Sequence, residues 1–338
     1  MNGEALESAE RFFFRSLHPL ISIGMASDRY MGWTGQIYSE ELYRDQVASR
    51  TNRVGKQSFR EQVFPISSVS EYFQHFRVLE IDYSFYAPLI GKRGPTPSAG
   101  TLKQYSMLMG PEDRVLLKAP QIFFAQKLRR GKEYAPNENY LASDAFTRQF
   151  YEPALALLGT KLKGIIFEQE YQRTSERQPP LEFAAQIDRF FSSVPRDDRY
   201  HVELRTEAYL CKPVFDVLLK HGVGQVLSHW TWLPPLKVQF SKAGGRLIPA
   251  GSRAVVRLMT PIGMRYEDAY AKAFPFDRLI EEMISPGMIP QTVQLMREAI
   301  MREVEINVII NNRSAGNAPL LARQIVRQFV DEMEGREP

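Results

Sequence analysis

The sequence carries one cysteine, Cys211, in 338 residues. No intrachain disulfide can form, and neither a thiolate cluster nor a Cys-rich zinc site can be built. Histidine is scarce too: there are five, with no H-x-x-x-H or H-E-x-x-H spacing to set two imidazoles on one helix face. No stretch approaches the roughly 20 apolar residues of a membrane span. The patch Phe12–Phe14 is too short for a signal-peptide core, and Glu4, Glu7 and Glu10 precede it. A cytoplasmic, reducing compartment and no membrane partner are therefore the expectation. No P-loop, nucleophile elbow or dinucleotide fingerprint occurs; Gly24 and Gly32 near Trp33 do not make a G-x-G-x-x-G. No cofactor and no metal are expected on these grounds. An excess of one charge is also lacking. The net charge is +4, too small to imply a nucleic-acid partner by itself, so the placement of the charges has to decide.

What is present is alternation. Eight short apolar runs, each reading as a buried strand, punctuate the chain: Leu20–Met25, Val78–Phe85, Arg114–Ala119, Gly164–Glu168, Tyr200–Arg205, Val223–Ser228, Ala254–Met259 and Glu305–Asn311. Amphipathic segments lie between them. Pro180 opens one, with Phe183, Ile187, Phe190 and Phe191 at helical spacing. Pro213 opens another, and Gly222 stands where a helix is closed by a left-handed glycine. Asn317 with Pro319 starts the last, whose inner face is Leu321, Ile325 and Phe329. Eight strands alternating with helices predict an all-parallel sheet, and residues 1–338 suit a single TIM-type (β/α)8 barrel, with an open doubly wound sheet as the rival. Residues 44–65, polar and without a clear period, read as a partly helical insertion after the first strand. Trp232–Ser252 reads as one short helix between loops.

Alternate strand residues share a face. With Leu79, Ile81 and Tyr83 packed outward on helices, Glu80 and Asp82 point into the barrel. By the same logic Glu203 and Arg205, Arg257, Lys118, Glu168 and Asn311 are inward candidates. They lie at the C-terminal ends of the strands, where barrel active sites are built. Buried ions persist only when paired, and four carboxylates face three cations here. Two readings follow: a salt-bridge network that merely fills the barrel, or a polar pocket for an anionic ligand in which burial raises one carboxylate into an acid beside an ionised base. The loops at that end carry Lys92, Arg93, Lys127, Arg129, Arg130, Lys132, Arg265 and Arg313, diluted by Glu133, Glu138, Glu267 and Asp268. Asn311-Asn312-Arg313-Ser314-Ala315-Gly316-Asn317 ends a strand and opens a helix, a place suited to phosphate or to a plain capped turn. Phe123, Phe124, Trp230 and Trp232 are stacking candidates, though packing under a loop is the more ordinary role. His229 is read as a hydrogen-bonded structural histidine.

Several segments in order resemble the YecE-like family, a domain-of-unknown-function barrel family. They are Ile23-Gly24, Gly32-Trp33-Thr34-Gly35 with Tyr38, Val78 through Tyr86, Lys118-Ala119-Pro120, Val202-Glu203-Leu204-Arg205, Val256-Arg257-Leu258 and Asn311-Asn312. The resemblance implies a TIM-type barrel and a site of Glu80, Tyr86, Lys118, Glu203, Arg205, Arg257 and Asn311. The chain departs from the family pattern at Asp82, where Asn is usual, at Gln121–Phe124, where basic residues and a Thr-His pair are usual, and at Met259, where His is usual. Family barrels have been likened to the endonuclease that acts at abasic DNA sites. That enzyme's histidine-rich metal cluster is not offered by this chain, so metal-dependent nuclease chemistry is not expected.

Three functions follow as candidates. The first is an enzyme of hydrolytic or acid–base type, with Glu80, Glu203 and Lys118 catalytic and Asp82, Tyr86, Glu168, Arg205, Arg257, Asn311 and Asn312 holding a phosphorylated or anionic substrate. The second is a non-enzymatic protein binding a small anionic metabolite or nucleic acid. The third is a barrel used only as a scaffold.

Overall fold

The computed structural model of the chain describes residues 2–131 and 133–335. Eight strands form one closed barrel: β1 (Ile21–Ala26), β2 (Val78–Ile81), β3 (Arg114–Lys118), β4 (Leu162–Gln169), β5 (Tyr200–Leu204), β6 (Gly224–His229), β7 (Arg253–Leu258) and β8 (Glu305–Ile310). Each runs parallel to its neighbours in sequence. β8 returns to β1 with Ile21 opposite Ile306 and Met25 opposite Ile310, which closes the sheet and excludes the open doubly wound alternative. A helix follows each strand: α1 (Val69–His75), α2 (Pro97–Leu108), α3 (Glu152–Leu158), α4 (Pro180–Ser193), α5 (Lys212–His221), α6 (Leu236–Lys242), α7 (Met288–Met301) and α8 (Ala318–Met333). The fold is a TIM-type α/β barrel.

The local signals act as their chemistry requires. α4 buries Phe183, Ala184, Ile187, Phe190 and Phe191 as one stripe against the sheet. α5 begins with Pro213 in its first turn and ends at Gly222 with φ of 65°, the left-handed conformation that costs glycine nothing. The Asn317 side chain accepts a hydrogen bond from the Leu320 N–H at 2.9 Å and caps α8. Outside the sheet these stripes make the large apolar core. Inside it Val78, Leu116, Ile166, Val226, Val255 and Ile309 fill the middle of the barrel as a separate apolar layer.

Two expectations need correction. Residues 44–65 hold a β-hairpin, Ala48–Val54 paired antiparallel with Gln57–Val63. Almost every side chain of the hairpin is exposed or half-buried, so neither strand carries the apolar alternation that announces a buried face. Its anchor is polar: Glu61 is buried and accepts from Arg50 at 2.7 Å, from Asn52 at 2.8 Å and from the Tyr270 hydroxyl. The second correction concerns Asp82. β2 ends at Ile81, and Asp82 stands at the head of a 3₁₀ turn, Tyr83–Phe85, so strand alternation does not govern its direction. Two further hairpins, Ile90–Gly91 with Gly94–Pro95 and Lys127–Arg130 with Glu133–Pro136, follow β2 and β3. The first three strand-to-helix connections thus each carry one. Among the described residues no helix is long and apolar enough to cross a membrane.

Candidate functional site at the barrel mouth

On β2, β3, β4 and β7 the inner face runs from apolar to charged: Val78 to Glu80, Leu116 to Lys118, Ile166 to Glu168, Val255 to Arg257. The middle layer is thereby roofed by ions. Arg257 grips Glu80 in the forked geometry, Nε to Oε2 at 2.7 Å and Nη2 to Oε1 at 2.6 Å, and its Nη1 bonds Glu203. Arg205 Nη2 lies 3.3 Å from Glu203, and its Nη1 donates to Glu168 at 2.6 Å. The other oxygen of Glu168 meets Lys118 Nζ at 2.5 Å. The groups form one chain, Glu80–Arg257–Glu203–Arg205–Glu168–Lys118, with three charges of each sign.

Depth divides this chain. Glu80, Glu203 and Arg257 are 0% exposed, whereas the Lys118 and Arg205 side chains keep 10% and 14% of their surface. Burial pushes the Glu80 carboxyl above its ordinary range despite Arg257. Burial also opposes ionisation of Glu203, but the Arg205 and Arg257 guanidiniums outweigh it and hold that carboxyl well below the usual range. Glu168 is likewise held down, by Arg205 and Lys118 against its burial. Of the two sealed carboxyls, the raised one is Glu80, which has Arg257 alone as its ion-pair partner, while Glu203, between two guanidiniums, and Glu168, between Arg205 and Lys118, stay ionised.

Aromatic rings lie against the cations at this end of the barrel. Lys118 Nζ lies 3.8 Å from the Phe85 centroid, the Arg205 guanidinium 4.7 Å from Trp230 and the Arg313 guanidinium 4.6 Å from Tyr266. Tyr171 packs against both Trp230 and Trp232, with centroids 6.3 and 5.6 Å apart. Tyr86, Tyr171, Trp232 and Tyr266 are exposed. The Nε groups of Arg205 and Arg313 are buried donors without a partner among the described residues. Tyr171 and Tyr266 were not singled out in the sequence. The signal that finds them is an aromatic residue shortly after a strand end, the same position that Tyr86 and Trp232 hold.

Other sequence candidates have different surroundings. Asn311 is buried, and its side chain accepts from the Arg313 N–H at 3.0 Å. Asn312 accepts from Trp33 Nε1 at 3.0 Å and from the Ala318 N–H at 2.8 Å, so it ties β1's loop to the start of α8. The donors expected to receive a phosphate there are largely occupied: Ala318 by Asn312, Leu320 by the Asn317 side chain, Gly316 by the Asn312 carbonyl. Phe123 and Phe124 are buried core residues. His229 Nδ1 faces the Thr260 carbonyl at 3.1 Å, and burial lowers its pKa to about 4, which keeps the ring neutral. Lys92, Arg93, Lys127 and Arg129 lie on the second and third hairpins; the Arg130 side chain and Lys132 lie outside the described residues. Among the described residues no group of three His, Cys, Asp or Glu side chains is placed to hold a metal ion.

Asp28, just past β1, is a buried carboxyl that the sequence reading missed. Burial raises its pKa to about 6, against the Arg29 charge and a hydrogen bond from the Tyr105 hydroxyl at 2.8 Å. An acid with a raised folded-state value binds its proton earlier in the folded chain than in the unfolded one. Stability is therefore gained as pH falls from about 6 to about 4. Asp28→Asn is expected to be more stable than the parent by about 2 kcal/mol at pH 8, with the gap closing near pH 4. Urea denaturation at the two pH values checks this; an equal gap at both would refute it.

Comparison with known proteins agrees with the architecture. A DUF72 family protein of Thermotoga maritima superposes with a TM-score of 0.54 at 17% identity, covering 93% of this chain and 99% of that one. A second DUF72 family protein, from Enterococcus faecalis, gives 0.53 at 12% identity over 92% and 95%. No curated protein matches the chain. The model of the family described as protein of unknown function DUF72 matches residues 56–338, and the chain accordingly belongs to that family, the YecE-like family its motifs resemble.

Proposed function

We propose that the mouth of the barrel binds a small ligand combining an anionic group with a ring that stacks, in the chemical class of sugar phosphates and nucleotides. The observation that carries this is the set of exposed aromatic residues beside cations that are largely covered, Lys118 and Arg205 keeping 10% and 14% of their side-chain surface. Trp232, Tyr171, Tyr86 and Tyr266 are exposed to solvent. Beneath them Lys118 Nζ has Glu168 as its ion-pair partner, and among the described residues the Nε groups of Arg205 and, at the side, Arg313 have none. Stacking is worth about 1–3 kcal/mol per ring, enough for affinity where the floor is electrically neutral.

The same geometry favours binding over acid–base catalysis. Glu80, the carboxyl with a raised pKa, has both oxygens on Arg257 and no exposed surface. Glu168, the carboxyl nearest the opening, is a weak base because two cations hold it ionised.

Adenosine monophosphate and ribose 5-phosphate are suitable probes, with tryptophan fluorescence as the readout. Trp232→Ala is expected to weaken binding about tenfold. Glu168→Gln removes the carboxylate that neutralises Lys118 and Arg205, so it is expected to tighten binding of either phosphate several-fold. A single-stranded oligonucleotide showing a steep salt dependence would make the ligand a polyanion instead. Absence of saturable quenching with every probe would leave the barrel as a scaffold and end the proposal.

A further inference from the structure

We infer that the opposite, N-terminal end of the barrel holds a second site, for a small multivalent oxyanion of the phosphate class. There the starts of several strands converge on a pocket of about 260 Å³. Arg77 reaches it from just before β2, Arg114 from β3, Lys163 from β4 and Arg253 from β7. Two carboxylates, Glu112 and Glu305, line the same pocket. The mouth balances three charges with three. This end has four cations against two carboxylates, and Asp198, which pairs with Arg253 at 2.9 Å, still leaves an excess of positive charge.

The cations are held in place by contacts that leave donors over. Lys163 is buried, with Nζ on Ser22 Oγ at 3.2 Å and on Glu305, which uses two of its three N–H groups. Arg114 Nη1 donates to the Pro111 and Asp113 carbonyls at 2.6 and 3.0 Å, which orients the guanidinium and leaves Nη2 and Nε. Arg253 gives Nη2 to the Asp198 carbonyl at 3.0 Å, while its Nε is a buried donor without a partner among the described residues. Arg77 is half-buried, and among the described residues its side chain has no hydrogen-bond or ion-pair partner. Burial first, then the Arg114 and Arg253 charges, depress the Lys163 pKa against the pull of Glu305, so these three cations feel one another. An oxyanion with two or more negative charges and several acceptor oxygens satisfies those donors and removes that repulsion. The apolar layer of Val78, Leu116, Ile166, Val226, Val255 and Ile309 separates this pocket from the mouth.

The test is thermal unfolding of the full chain with sodium pyrophosphate and sodium phosphate, against sodium chloride at matched ionic strength. A saturable rise in Tm, reached at lower concentration for pyrophosphate, is expected. Among the described residues the Arg77 side chain has no partner to lose, so Arg77→Ala is expected to keep the fold. It is expected to raise the half-saturating concentration about tenfold, with Arg77→Lys recovering part of the loss. Trp232→Ala, at the mouth, is expected to leave this response unchanged. Three results would overturn the inference: no rise beyond that with chloride, the same half-saturation in Arg77→Ala, or loss of the response in Trp232→Ala, which would assign the effect to the mouth.

Discussion

Arg257→Ala is expected to reduce the free energy of unfolding by about 3–5 kcal/mol at pH 8, the usual cost of removing one partner from a buried ion cluster. The reason is an asymmetry between making and breaking such a cluster. With Arg257 present, Glu80 has a cation on both oxygens and Glu203 has a second cation in Arg205. Without it Glu203 keeps Arg205, but Glu80 stays fully buried with Lys118 as its remaining electrostatic support. The cheapest response is for Glu80 to bind a proton. Its folded-state pKa, already raised, rises further, so the variant's deficit is largest at high pH. It shrinks as pH falls through the variant's further-raised value, because there the folded variant takes up a proton and no longer carries a stranded charge, while the unfolded chains of parent and variant titrate alike and cancel. Denaturant unfolding of parent and variant at pH 8 and pH 5 reads both magnitude and direction. Arg257→Met combined with Glu80→Gln is expected to restore a large part of the loss, since an apolar stem beside a neutral amide leaves no stranded charge. A deficit below about 1 kcal/mol, or one that grows on acidification, would mean that Arg257 does not hold the network as the geometry indicates.

How much of this was legible in the sequence follows from which forces act along a strand and which act between loops. Inward placement of Glu80, Lys118, Glu168, Glu203 and Arg257 was readable because period-two alternation is a property of the strand itself. The pairing order was not. Glu80 meets Arg257 from a strand 177 residues later, and only barrel closure sets that partner. The depth order was hidden for the same reason. Which carboxyl is raised depends both on its burial and on how many cations barrel closure brings to it, one for Glu80 and two for Glu203, so sequence logic left it open. Asp82 escaped because the apolar run continues through Tyr83 and Phe85 after the strand has ended in a 3₁₀ turn. The hairpin at residues 48–63 escaped because its fixing point, Glu61 against Arg50, Asn52 and Tyr270, is polar and remote in sequence. The cations of the N-terminal pocket were passed over because each lies at or just before a strand start, where a lone charge ordinarily marks solvent. Only the closed sheet shows that four of them face one space.

Gly24→Ala is the second substitution with a large expected effect, about 3 kcal/mol or more of destabilisation, at the upper end of what overpacking costs. The cause is space and not backbone conformation. Gly24 lies in β1 opposite Val78 of β2, and a Cβ there would stand 2.2 Å from the Val78 carbonyl oxygen and 2.6 Å from Val78 Cγ1. A flexible side chain could yield, but this obstacle is backbone. It is also pinned: the Tyr72 hydroxyl donates to the Val78 carbonyl at 2.7 Å while accepting from the Met25 N–H at 2.9 Å. Relief therefore requires β1 and β2 to separate. Two residues further along the same ladder Ala26 pairs with Glu80, so separation also draws Glu80 from Arg257. Gly24→Ala and Arg257→Ala are thus expected to be non-additive, the double variant losing less than the sum of the two singles. Gly35→Ala is the control of opposite kind. Its site is open, with nothing within 4 Å of an added Cβ, and its φ of 74° makes the penalty conformational, about 1 kcal/mol. Urea unfolding of the three single variants and the double checks the set. A Gly24→Ala loss no larger than that of Gly35→Ala, or strict additivity with Arg257→Ala, would mean that the β1–β2 seam does not position the buried ion cluster.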